Sequence, residues 1–456
     1  MKTALVYPYS KYSWTGCNPP ISILYLAASL RQAGKEVMVI DADEGNYSFT
    51  EIRQRLIEYA PDLIGIPLFS TTLGPAYQLV ELLMAGNAKW EIVLGGAHAT
   101  AQSQKVLDVF RNCRYILRGE AEKSIVDLVN ALETQGDLGN IQGLSYRQDD
   151  KIFHNPDAIL EINIDSIPFP ARDLLEAAYQ KNTYWRIGHR GAADVMITSR
   201  GCPFDCHFCF KITKKFRARS PESVLEEIML IRSRGVKTIH LMDDLFVAPR
   251  SRCLRILELI KEQKLNMEFK VRSRADLIDE ELLLAMKGAG VKSVVYGIES
   301  GSQQILDLMN KRTGVEVNYK AITLTKKIGL QCYVDMIIGY PGETLETIAE
   351  TERLLLTTKP TGVNLSIICP FPNTRVYEQA KEQGIMISDW GIDQPTPWIK
   401  LPWMENYDTL HECRKKLLRR YQYNPLVAAN AIRAVLPGID LKLLKALMRY
   451  VGQLLS

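Results

Sequence analysis

Short apolar runs alternate with amphipathic stretches along most of this chain. Over the first 140 residues, the runs at 4–7, 37–40, 63–67 and 92–94 are free of charged residues, as strands buried on both faces of a parallel sheet must be. Between them, 21–32, 50–59 and 76–85 place apolar residues at helical spacing. This rhythm predicts an α/β, Rossmann-like, doubly wound domain over residues 1–140. It breaks over 141–190, where Asp149-Asp150-Lys151 suits a hairpin turn and Ile167-Pro168-Phe169-Pro170-Ala171 is stiff and poor in amide donors. That segment reads as a linker with a small β excursion.

Over 191–384 the alternation resumes, with strands at 195–198, 238–242, 268–272, 293–297, 332–338 and 362–368. Helices separate them at 221–234, 250–262, 280–289, 317–328 and 345–357. Repeats of this kind predict a partial (β/α)6, TIM-like barrel, with its chemistry at the carboxyl ends of the strands. Residues 385–456 read as a small, mostly helical region, with helices at 410–421, 425–436 and 441–455. Asn424 caps the second of these, with proline at the first helical position. Trp390, Trp398 and Trp403 either wall an apolar site or pack as structural aromatics.

Composition narrows the function class. The chain has 456 residues, 46% hydrophobic and 24% charged, enough for more than one core. A net charge of +4 gives no electrostatic basis for nucleic-acid binding. Nine cysteines without an export signal point to reduced thiols and a cytoplasmic protein. Cys17, Cys113, Cys253, Cys332, Cys369 and Cys413 stand singly and read as small packed residues. The basic residues of 414–420, followed by the apolar tail 441–455, suit either a solvated helix face or a membrane-peripheral contact serving a lipid-like substrate.

The remaining cysteines lie in Arg200-Gly201-Cys202-Pro203-Phe204-Asp205-Cys206-His207-Phe208-Cys209-Phe210. Three thiols so close cannot all pair as disulfides, and their turns suit one face of an iron-sulfur cube whose fourth iron has no protein ligand. His207 would complete a zinc set, but the spacing is foreign to zinc sites. With Phe208 before the last cysteine, the loop resembles the cluster loop of the radical S-adenosylmethionine superfamily. The resemblance implies a 4Fe-4S cluster on Cys202, Cys206 and Cys209, with S-adenosylmethionine chelated by the open iron. Reductive cleavage would give a 5′-deoxyadenosyl radical, with electrons from a donor such as flavodoxin or ferredoxin.

Other strand ends extend the resemblance in order. In similar proteins, acids placed like Asp243 and Asp244 hold the cofactor's amino group, and an arginine placed like Arg274 pairs with its carboxylate; a solvated turn and a surface ion pair are the plain alternatives. In Gly297-Ile298-Glu299-Ser300 the glycine permits close backbone approach, and Glu299 and Ser300 suit ribose hydroxyls or the methionine portion. Ile338 and Gly339, in the fifth-strand segment, would meet the adenine.

After the first strand, Tyr7-Pro8-Tyr9-Ser10-Lys11-Tyr12 stands where a dinucleotide site needs GxGxxG. The segments around Pro19-Pro20, Gly95-Gly96-Ala97-His98 and Arg118-Gly119-Glu120-Ala121-Glu122 instead resemble the cobalamin-binding domain that precedes the barrel in one large subfamily, the class B methyltransferase-like enzymes. No Asp-x-His-x-x-Gly occurs, so the resemblance implies cobalamin without a histidine lower ligand, and His98 is not in that context. The rim loops 7–17, 41–47, 69–73 and 95–100 would seat it, with Ser70, Thr71, Thr72, Gly95 and Gly96 as contacts; a helix cap is the equal alternative for the hydroxyls. The activity implied is methylation of an unactivated carbon in a small-molecule or lipid-like substrate. Relatives of this architecture also close rings, contract rings or oxidise carbon, and a non-catalytic iron-sulfur scaffold is a further alternative.

Overall fold

Two mainly parallel sheets, each covered by helices, organise the chain. In the computed structural model, residues 1–8, 16–85, 89–181, 184–186, 191–393 and 396–428 are described. The first sheet comprises β1 (Lys2–Tyr7), β2 (Glu36–Asp41), β3 (Leu63–Pro67), β4 (Glu91–Gly95), β5 (Tyr115–Leu117), β6 (Leu144–Gln148) and β7 (Lys151–His154), in the order β2-β1-β3-β4-β5-β6-β7. The order in which parallel strands are added reverses between β1 and β3, which is where a doubly wound sheet opens a crevice for a ligand. All of β3 is buried, and helix Ile21–Gln32 has the bounds its periodicity predicts.

The hairpin reading of 149–151 needs a correction in context. β6 runs antiparallel to β5, with Tyr115 opposite Tyr146, so the hairpin completes the first sheet rather than standing alone in a linker. It covers the edge of a strand only three residues long, and Tyr115, Leu117, Leu144 and Tyr146 enter one core. Asp149 and Asp150 take left-handed conformations (φ 48° and 62°) that short polar residues tolerate.

The second sheet has β8 (Ala193–Met196), β9 (Thr238–Leu241), β10 (Glu268–Ser273), β11 (Val291–Glu299), β12 (Gln331–Ile338) and β13 (Gly362–Ile367), all parallel and in chain order. This is the open (β/α)6 wall that the alternation predicts. Helix Arg250–Glu262 again has its predicted bounds. Beneath the first strand, Arg172 pairs with Asp194 at 2.7 Å and Glu227 at 2.8 Å, and Arg219 also reaches Glu227, so buried charges answer one another.

One continuous apolar core joins both sheets, running from Leu5 to Val427. Residues Met386–Ile387 pair with Trp398–Ile399, and helix Tyr407–Gln422, capped by Asn406, packs against β13. Asn424 accepts from the Leu426 amide at 3.1 Å where the chain turns helical again at 425–428. The predicted helices beyond 428, and with them the membrane-peripheral contact of the tail, lie outside the described residues. Among those residues, no helix is long and apolar enough to cross a membrane.

Candidate functional site

The neck of the cysteine loop is an antiparallel pairing of Ser199–Arg200 with Arg217–Ala218. Gly201 follows it with φ +77°, and a Cβ there would collide with the backbone oxygen of Lys215. Cys202 and Cys206 are half-buried, Cys209 is exposed, and all three are free. Partial burial raises the Cys202 thiol above its usual range, with Asp244 and Cys206 adding to the rise, so a bound metal would favour its thiolate form. Among the described residues, no group of three or more His, Cys, Asp or Glu gathers as a single metal ion requires. His207 is a strut, its Nδ1 3.1 Å from the Leu308 carbonyl and its amide 3.0 Å from that of Met309. Three thiols on a braced loop therefore fit a multi-iron cluster better than a mononuclear ion.

Arg274 flanks that loop, stacked 3.8 Å from the Phe204 ring centre, with Nη1 4.0 Å from Cys206 Sγ. Its carboxylate partner is Asp276, bonded twice at 2.9 Å, so the ion-pair alternative describes its present state. Glu299, held at φ +68° beside a register shift, pairs with Lys311 Nζ at 2.9 Å, and that ammonium lies 5.8 Å from the centre of the Phe208 ring. A Cβ at Gly297 would strike the Glu299 carboxylate, so the glycine leaves that carboxylate its present place beside Lys311.

At three strand ends the expected groups already have partners within the protein. Asp243 is buried, and its carboxylate accepts from the Thr198 amide at 2.5 Å, the Thr198 hydroxyl and the Ser199 amide at 3.0 Å. It anchors the root of the cysteine loop with both carboxylate oxygens engaged, while Asp244 lines the cavity. Ser300 is likewise spent, 3.2 Å from the Thr351 hydroxyl and accepting from the Ser302 amide at 3.1 Å. The Ile338 carbonyl accepts from Ile368 at 2.8 Å, and a Cβ on Gly339 would come within 2.5 Å of Leu410, so the C-terminal helix closes over this strand end.

A charged layer that sequence reading missed lies beside Gly297. Register aligns Gly297 with Asp335 and Asp335 with Asn364; Arg272 bonds to Asp335, and Asn364 Nδ2 lies 3.2 Å from it. The available signal is alternation. In β10 and β12 every second residue is half-buried while its neighbours are fully buried under helices, which turns Lys270, Arg272, Tyr333 and Asp335 to the inner face.

Between the two sheets lies a cavity of about 430 Å³. Leu5, Ile66 and Val93 form one wall; Arg200, Gly201 and Lys211 of the cysteine loop form the other. Gly95, Gly96 and Gly119 lie along it, and nothing stands within 4 Å of where a Gly119 Cβ would be. Its mostly apolar lining and its run of glycines suit a bulky cofactor. Ser70, Thr71 and Thr72 are not among its lining residues; Phe69 is. Thr72 accepts from the Phe69 amide at 3.1 Å, the helix-cap alternative, and Ser70 bonds His98 Nδ1 at 2.9 Å. His98 is buried against the edge of Trp390, and burial brings it down to about 4, so it is neutral and turned from the cavity. Trp390 stacks on Phe371 and donates to Pro370 at 2.8 Å, a structural aromatic.

Glu120 joins the two cofactor regions. It accepts from Arg200 at 2.9 Å and from Arg217 at 3.0 Å, while Glu122 holds Arg200 at 2.6 Å, so both sides of the loop's neck are tied to the first domain. Burial alone would raise the Glu120 carboxyl, but Arg217 and Arg200 overcome it and hold the group below its usual range.

Comparison with known proteins agrees with this geometry. Residues 196–355 match the radical SAM superfamily and residues 13–129 the B12 binding domain. An uncharacterized methyltransferase of Pyrococcus horikoshii is 31% identical over 81% of this chain and 80% of its own length. The anaerobic magnesium-protoporphyrin IX monomethyl ester cyclase of Rubrivivax gelatinosus is 29% identical over 86% of this chain and 72% of its own. The radical S-adenosylmethionine methyltransferase TsrM from Kitasatospora setae, solved with cobalamin and a 4Fe-4S cluster, shares the fold at a TM-score of 0.72 and 18% identity, covering 85% of this chain and 76% of TsrM. The chain belongs to the radical S-adenosylmethionine enzymes with a cobalamin-binding domain, whose cofactors are a 4Fe-4S cluster, S-adenosylmethionine and cobalamin.

Proposed function

We propose that this enzyme transfers a methyl group to a carbon that carries no activating group, in a small-molecule or lipid-like substrate. The observation behind this reading is the shared cavity, in which the strand ends of the first domain and the cysteine loop form opposite walls with no layer of protein between them. When bound, S-adenosylmethionine on the cluster supplies one-electron chemistry and cobalamin a methyl group, which together meet the demand of an unactivated C–H bond.

The chain's own residues position these groups. Cys202, Cys206 and Cys209 would hold three irons, on a loop whose root is fixed by Asp243 and whose neck is fixed by Glu120. Gly95, Gly96 and Gly119 would leave room for the corrin, and Leu5, Ile66 and Val93 would exclude water from it. Glu299 with Lys311, and Asp335 with Arg272, place both signs of charge at the strand ends, matching the amino, hydroxyl and carboxylate groups of S-adenosylmethionine.

The test is product counting. Anaerobic protein reconstituted with iron, sulfide and hydroxocobalamin receives a reductant, a small-molecule extract and S-adenosylmethionine with a deuterated methyl group. The expected result is S-adenosylhomocysteine and 5′-deoxyadenosine in equal amounts, with deuterium in a new product; Cys206→Ala abolishes the 5′-deoxyadenosine. Formation of 5′-deoxyadenosine with no S-adenosylhomocysteine would sink methyl transfer and leave a ring-forming or oxidising outcome.

A further inference from the structure

We propose that the outer face of helix Tyr407–Gln422 is a docking surface for an anionic lipid bilayer. The inference concerns where the protein works and does not depend on the outcome of the radical reaction. Leu410, Leu417 and Tyr421 turn one side of this helix into the core. At 3.6 residues per turn, Lys415, Lys416, Arg419 and Arg420 then share the opposite side, and all four are exposed. Tyr423 continues that side, because its backbone is still helical (φ −74°, ψ −2°) and its amide donates to the Arg419 carbonyl at 2.9 Å.

The positive charge is only partly answered within the protein. Glu412 lies 3.6 Å from Lys415 and Glu352 lies 2.9 Å from Arg420, while Lys416 and Arg419 have no acidic partner among the described residues. The acids of the face itself, Asp408 and Glu412, stand in the first two turns. A helix dipole favours cations at the last turn, so the basic residues alone would be an ordinary C-terminus. The dipole does not account for the apolar surface beside them, where Tyr423 is 74% exposed and Leu426 59%. Cations next to an exposed aromatic and an exposed aliphatic side chain suit the boundary of a bilayer, where the charges meet anionic headgroups and the apolar parts leave water.

Other occupants match the face less well. Residues 429–456 carry Arg433, Lys442, Lys445 and Arg449 against Asp440 alone, so that segment would bring like charge to it, as would the same face of a second copy. The helix also packs against β13, the last strand of the barrel sheet. Docking would leave only this helix between that edge and the lipid, as entry of a lipid-like substrate requires.

The experiment is co-sedimentation of the full-length, reconstituted protein with vesicles of phosphatidylcholine alone, or of phosphatidylcholine and phosphatidylglycerol in equal parts. The protein should bind the anionic vesicles and leave them as salt is added. Lys416→Glu/Arg419→Glu should weaken that binding about tenfold and Lys416→Gln/Arg419→Gln by less, the second variant adding no charge that could disturb folding. Tyr423→Ser should weaken it as well, with a loss that salt does not screen. Lys151→Glu, on the first-domain hairpin, should change nothing. Absence of binding, or equal binding to the two kinds of vesicle, overturns the proposal, as does binding within about twofold of the unaltered protein in both double variants. Binding to a single-stranded RNA as tight as to the anionic vesicles, and indifferent to Tyr423→Ser, would make the face a general polyanion site and overturn it too.

Discussion

Glu343 is an enclosed acid with one carboxylate oxygen, Oε1, lacking a hydrogen-bond partner. Burial pushes its carboxyl up to about 8, so it is protonated at neutral pH in the folded protein, whereas an unfolded glutamate titrates near 4.3. Between about 4.3 and about 8 the folded state therefore holds a proton that the unfolded state has released, and stability falls as pH rises through that window. Glu343→Gln removes this dependence. Its melting temperature relative to the unaltered protein should rise from pH 5 to pH 8.5, and a gap that stays constant would contradict the assignment. Residue identity alone could not reveal this state, because the enclosure comes from the Gly339 turn, with Trp403 Nε1 on the Glu343 carbonyl at 2.7 Å.

Among the elements, the cysteine loop shows what a local signal conveys and what it omits. Its three candidate ligands are readable from spacing, but the need for Gly201 lies in the distant backbone of Lys215. Gly201 and Gly235 have nearly the same φ, +77° and +79°, yet a Cβ on Gly235 meets nothing within 4 Å. Gly235→Ala should cost about 1 kcal/mol, the left-handed penalty alone, with iron content unchanged. Gly201→Ala must also displace the loop, and iron retained after reconstitution should drop by about half or more. Equal iron in the two variants would remove the special role of Gly201. The same division explains the other outcomes. Apolar runs marked the buried strands, because complete burial leaves no polar residue to blur them. The 144–154 hairpin was readable as a hairpin but not as part of a sheet, since its pairing with β5 is a tertiary contact. For Ser70 to Thr72 the cap and the ligand contact stood as equal alternatives, because both use the same hydroxyl chemistry and only geometry separates them.

At the scale of the whole molecule, the two domains share one core, and Glu120 ties the cluster loop to the wall of the cavity. Glu120→Ala strands the buried guanidinium of Arg217 and should lower stability by about 3 kcal/mol in urea unfolding. It should also weaken hydroxocobalamin binding in a titration of the anaerobic protein, since the Gly119–Glu122 turn lines the cavity. Unchanged cobalamin affinity would reduce Glu120 to a purely structural tie. In the barrel sheet, β8 and β13 are each bonded on one side only. A closed ring of strands would have to be breached to admit a different guest. This wall is left ajar, with helix Tyr407–Gln422 along one jamb and the segment around Arg172 along the other, and neither carries a cluster ligand. A change at either jamb can therefore alter which guest is admitted while the cysteine loop behind it stays as it is.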